Sequence, residues 1–92
     1  MRIRWTQPAV QDLTGICDYV GEHGSPVTAH RVALTIYESV ALLQKFPHRG
    51  RPGRKTNTRE LVVTNLPYVV IYHIREQVIE ITRILHGAQS WP

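Results

Sequence analysis

A lone cysteine, Cys17, is the only thiol in the 92 residues, so no internal disulfide can staple the chain. That usage fits a reducing cytoplasm. The helix-like apolar pattern around Cys17 makes it a small core residue rather than a nucleophile. Long apolar runs are missing as well. No stretch approaches the roughly 18 apolar residues of a membrane span, and Met1-Arg2-Ile3-Arg4-Trp5 lacks the apolar run of a secretory signal. The expectation is a soluble, cytoplasmic protein with no membrane partner. Metal-binding patterns are absent too: there is no Cys-x-x-Cys, no His-Glu-x-x-His and no aspartate-rich calcium loop. His23, His30, His48 and His73 are not spaced as a ligand pair. Gly50-Arg51-Pro52-Gly53-Arg54 has no strand before it and no helix after it, so it is not a phosphate-cradling loop. Neither a metal nor any other cofactor is expected.

Acidic residues are missing from one segment in particular. Of eleven Lys and Arg, five (Arg49, Arg51, Arg54, Lys55 and Arg59) lie between Phe46 and Arg59, where none of the seven Asp and Glu falls. That segment is +5, and the rest of the chain holds six bases against seven acids. A localised cationic patch attracts nucleic acid or an acidic protein partner. The plainer alternative is a solvated loop that only aids solubility.

What is present reads as one domain over residues 1–92, of a size that buries about 60–65% of its unfolded surface. Arg2-Ile3-Arg4-Trp5 alternates like a short strand. Pro8 sets a helix start, and Ala9, Leu13, Ile16, Cys17 and Val20 form one helical face that ends near Gly21 to Gly24. Ser25 and Pro26 begin a second helix. Its stripe runs through Ala29, Val32, Ala33, Ile36, Val40 and Leu43, broadened by Leu34 and Leu42, and stops at Pro47. A short link makes the two helices an antiparallel hairpin. Beyond the basic loop the period changes. Leu61-Val62-Val63, then Tyr68 to Ile74, then Val78 to Leu85 read as strands, and the apolar middle one suits a central position. The fold class is α+β, in the order β-α-α-β-β-β, with a mainly antiparallel sheet and the hairpin on one face.

The last strand carries the irregularity. Strict alternation puts Ile79, Ile81, Arg83 and Leu85 on one face, so Arg83 interrupts an apolar row and needs a partner. Either Asp12 or Asp18 of the first helix pairs with it, or it contacts an anion at the sheet's edge. His86 follows at the strand's exit, where an imidazole can exchange protons at neutral pH.

The run Pro8-Ala9-Val10-Gln11-Asp12-Leu13, then Pro47-x-x-Gly50-Arg51, Arg59-Glu60-Leu61-Val62-Val63, Tyr68-Val69-Val70-Ile71-Tyr72 and Val78 to Gly87 resembles the RelE/ParE superfamily along nearly the whole chain. The resemblance implies a toxin of a type II toxin–antitoxin pair, neutralised by a cognate antitoxin. Its ParE-like members inhibit DNA gyrase; its RelE-like members cut mRNA on the ribosome without a metal. The long hairpin and the Arg83-Ile84-Leu85-His86 ending look more like ParE. In the nuclease alternative His86 serves as acid or base, with Arg59 and Arg83 as phosphate clamps. Arg49, Arg51, Arg54 and Lys55 are then the candidate residues for target or partner binding. A third alternative is a non-catalytic nucleic-acid-binding module. Against it, Tyr68 and Tyr72 lie inside an apolar strand and offer no platform for stacking bases.

Overall fold

Thr6 and Ser25 set the two helices. After β1 (Arg2–Trp5), α1 (Gln7–His23) opens with Thr6 Oγ1 accepting the Ala9 backbone N–H at 3.3 Å. Pro8 sits in its first turn, where a missing N–H costs nothing. Gly24 closes the helix, its N–H donating to the Val20 carbonyl at 2.9 Å. Ser25 Oγ then caps α2 (Pro26–Ala41) by accepting the Thr28 N–H at 3.1 Å. The computed structural model describes residues 1–87. It continues through a 3₁₀ turn at Leu42–Gln44 into β2 (Arg51–Pro52), β3 (Arg59–Val62), β4 (Tyr68–Arg75) and β5 (Val78–His86).

The five strands form one sheet in the order β1-β5-β4-β3-β2. β2 to β5 make an antiparallel meander. β1 lies parallel to β5, with Arg2 opposite Val78 and Trp5 opposite Ile81. β4 is central, and its Val70, Ile71 and Tyr72 are fully buried. The α+β class holds, with one strand added. Arg51–Pro52, expected as loop, pairs with Glu60 and Arg59 at the sheet's edge, where a proline removes no needed donor.

The core lies between hairpin and sheet. Ala9, Val32, Ile36, Val40 and Leu43 meet Leu61, Val63, Val70, Tyr72, Ile79, Ile81 and Ile84. Two expectations fail here. Leu34 and Leu42 are 47% and 43% exposed, so the inward stripe of the second helix is narrower than its apolar content. Strict alternation in β5 fails as well. Ile71 pairs with Arg83 but Tyr72 pairs with Ile81, which leaves Thr82 as the extra residue of a bulge. One inserted residue swaps the faces beyond it, so Ile84 rather than Leu85 joins Ile79 and Ile81 in the core. Thr82 secures the bulge: its Oγ1 donates to the Ile71 carbonyl and its own carbonyl accepts from Thr6 Oγ1, each at 3.1 Å.

Candidate functional site

The basic segment is ordered by the strands beneath it. Tyr72 is fully buried, yet its Oη accepts the Gly50 N–H at 2.9 Å and donates to the Pro47 carbonyl at 2.8 Å. Burial raises the Tyr72 pKa, an effect opposed by that N–H and by the charge of Arg59. A Cβ on Gly50 would lie 2.7 Å from Tyr72 Oη, so this close approach requires glycine. Arg59 Nη1 donates to the Gly50 carbonyl at 2.6 Å and the His48 carbonyl at 3.3 Å. Glu60, 4% exposed, accepts from Arg51 Nη2 and from the Arg54 backbone N–H, both at 3.1 Å. Burial alone would raise the Glu60 carboxyl. Its bonds to Arg51 and Arg54 and their positive charges outweigh burial and hold it below the usual carboxylate range. Around this one buried acid, Arg49, Arg51, Arg54 and Lys55 are displayed on the surface.

Arg83 faces the first helix. Its Nε and Nη2 donate to the two Asp12 oxygens at 2.6 and 3.1 Å, and Asp12 Oδ2 also accepts the Ile84 N–H at 2.9 Å. Of the two alternatives for Arg83, the ion pair is the one formed, with Asp12. The hydrogen bond to Asp12 raises the Arg83 pKa. β1 stops at Trp5, and beyond it the Asp12 carboxylate satisfies the next exposed N–H of β5. His86, at the end of β5, is exposed and stands opposite Tyr68, the rings edge-on at 5.9 Å. Arg59 stands opposite Tyr72, four residues along β4 and on its other side. Strand spacings therefore put Arg59 and His86 roughly 16 Å apart at Cα. The structure does not bring Arg59, Arg83 and His86 to one point.

A groove of about 550 Å³ opens between α1 and the ends of β4 and β5, lined by Gly15, Ile16, Tyr19, Tyr68, Ile84 and His86 among others. Tyr19 is 61% exposed, and Ala9 is the only fully buried residue of α1. Gly15 sits mid-helix, where glycine costs about 1 kcal/mol against alanine. A Cβ there would meet nothing within 4 Å. Val10, Val27, Leu34, Tyr37, Leu42 and Phe46 extend the exposed apolar surface over and beyond the hairpin.

A family model describing the ParE toxin of the type II toxin–antitoxin system parDE matches residues 3–91. The chain belongs to the ParE toxin family. It is 43% identical over 91 residues to toxin Y4kP of Sinorhizobium fredii, spanning 99% of this chain and 93% of that protein. To Toxin RelE2 of Caulobacter vibrioides it is 41% identical over 88 residues, 96% of this chain and 97% of the relative. Among solved structures, the chromosomal ParDE toxin–antitoxin system from P. aeruginosa superposes with a TM-score of 0.88 at 28% identity. That match covers 94% of this chain and 95% of the other.

This ParE-family protein is thus the toxin component of a type II toxin–antitoxin system, and its partner is an antitoxin. Among the described residues no helix is long and apolar enough to cross a membrane, and no three His, Cys, Asp or Glu side chains are grouped to hold a metal ion. Two residues that organise the surface of this ParE-family protein, Glu60 and Gly15, escaped the sequence reading, whereas Asp12 was one of its two candidate partners for Arg83. Glu60 offered one signal, an acid beside the apolar Leu61-Val62-Val63 run. Gly15 offered another, a glycine in mid-helix with no turn to serve.

Proposed function

We propose that this toxin acts in the cytoplasm by binding DNA gyrase rather than by cutting RNA, and that its antitoxin neutralises it by filling the groove beside α1. One observation supports the choice of target above all. RNA cleavage without a metal needs an acid, a base and cations converging on one phosphate. Here Arg83 is spent on Asp12, and His86 stands far along the sheet from Arg59, so no acid or base converges with the cations on one phosphate. A toxin that works by binding needs a preformed surface instead, and Arg49, Arg51, Arg54 and Lys55 stand on a loop already folded around Glu60. Steering towards an acidic or DNA-bearing target follows from that charge.

The test pairs two assays on wild type and on His86→Gln. Purified gyrase is followed by plasmid supercoiling, and transcript ends are mapped after brief induction. Supercoiling is expected to stall with transcripts intact, and His86→Gln to change little. New transcript ends that require His86, with gyrase unaffected, would overturn the proposal in favour of ribosome-dependent mRNA cleavage. General acid–base catalysis is worth about 10²–10⁴-fold, so that loss would be plain.

A further inference from the structure

At the opposite end of β4 from Tyr68 and His86 lies a second concavity, of about 420 Å³, whose lining includes His48, Asn57, Thr58, Arg59, His73 and Arg75. No part of the gyrase reading uses it. Two guanidinium groups and two imidazoles line it from three segments, and among the described residues no carboxylate does. The acid next to it in the hydrogen-bond network, Glu80, sits behind His73: its Oε1 meets His73 Nε2 at 2.7 Å, and Arg4 holds its other oxygen. That contact fixes the imidazole in place. Arg59 is fixed as well, because Nη1 is bonded to the carbonyls of Gly50 and His48 while its other N–H groups make no bond among the described residues. Arg75 is exposed at the end of its strand. Asn57 turns the wall with a left-handed φ of 65°, a conformation that asparagine tolerates better than most residues.

We infer that this pocket binds a phosphate group of a nucleic-acid strand. Planar guanidinium forks match phosphate oxygens in pairs, which a lone ammonium does not. The strand, rather than a free phosphate, follows from what adjoins the pocket. Pro52, Asn57 and Thr58 in its wall belong to the same +5 segment that displays Arg49, Arg51, Arg54 and Lys55. A strand seated by one phosphate would lay its next phosphates over those side chains, whereas a free anion would not engage them. Such binding releases counterions and weakens steeply with salt.

The experiment uses the purified toxin alone, so its failure and the failure of the gyrase reading are separate events. A short labelled single-stranded oligonucleotide is titrated at several salt concentrations, with inorganic phosphate and a poly-glutamate peptide as competitors. Arg75→Ala, which breaks no side-chain hydrogen bond among the described residues, is expected to weaken binding about three- to tenfold and to lower the salt slope by about one. Arg31→Ala, on the exposed face of α2, is the control and should bind as wild type does. Inorganic phosphate should compete weakly and shift the ring resonances of His48 and His73. Equal losses in the two variants would overturn the pocket, because charge alone would then explain binding. Phosphate that competes as well per anion as the strand would overturn the assignment to nucleic acid. So would a poly-glutamate peptide that binds tighter than the oligonucleotide.

Discussion

Glu60 is an acid at the foot of a cationic loop, and its ionisation state is built into the fold. The carboxyl is held below the ordinary glutamate range, with burial opposed and outweighed by Arg51 and Arg54. A group whose folded pKa is depressed stabilises the fold above its unfolded pKa, and that contribution is lost as pH falls through the folded value. Glu80 adds to the same trend, lowered first by its bond to His73 and then by Arg4. Glu60→Gln should therefore be less stable than wild type at neutral pH, with the gap closing as pH drops from about 5 towards 3. Urea midpoints over that range check it; a gap that stays constant to the acid end would mean the charge is not the anchor. At this scale the sequence was half legible. A charge in an apolar strand told that Arg83 needs a partner. Asp12 could not be preferred to Asp18 without knowing where β1 ends and the bulge falls. Gly50 resembled an ordinary loop breaker, because its close contact with Tyr72 joins residues 22 apart in sequence.

The hairpin between β4 and β5 shows what an element keeps from view. Arg75 closes one strand and Val78 opens the next, so Glu76 and Gln77 are the whole loop, with φ of 50° and 66°. Two left-handed residues mark the type I′ geometry, whose natural pair is Asn-Gly. Bulky residues there carry a steric cost of about 1 kcal/mol or more. Replacing Glu76 and Gln77 by Asn and Gly is expected to raise the melting temperature by about 4–8 °C for each kcal/mol relieved. Calorimetry decides, and a lower melting temperature would show that these side chains hold the turn. The turn's position was readable from the polar Arg75-Glu76-Gln77 run between two apolar strands, but its type was not, since neither Glu76 nor Gln77 favours it. The helices and β5 were legible from their periods, and β3 and β4 from apolar, β-branched runs bounded by breakers. β2 has only two residues and therefore none. The Thr82 bulge hid behind a clean alternation of side chains, which is a property of sequence, whereas the slip is a property of pairing.

At the scale of the molecule, the open groove and the mid-helix Gly15 belong together. Gly15→Leu should leave the fold intact or firmer, because leucine is the better helix former and open space receives it. Antitoxin affinity should fall about tenfold or more, the scale of roughly 1.4 kcal/mol. Melting curves of the toxin alone beside titration with the cognate antitoxin separate these effects, and unchanged affinity would move the antitoxin elsewhere. The first strand, meanwhile, pairs among the described residues with β5 alone, across more than 70 residues. A ribosome must therefore polymerise past residue 78 before Arg2–Trp5 has anything to bond, and further still before Ile84 and His86 supply their wall of the groove. A nascent chain stalled before that point lacks the β1–β5 pairing and, on the proposed docking, the groove that the antitoxin fills. On the proposed docking, an interrupted chain is one that the antitoxin cannot hold.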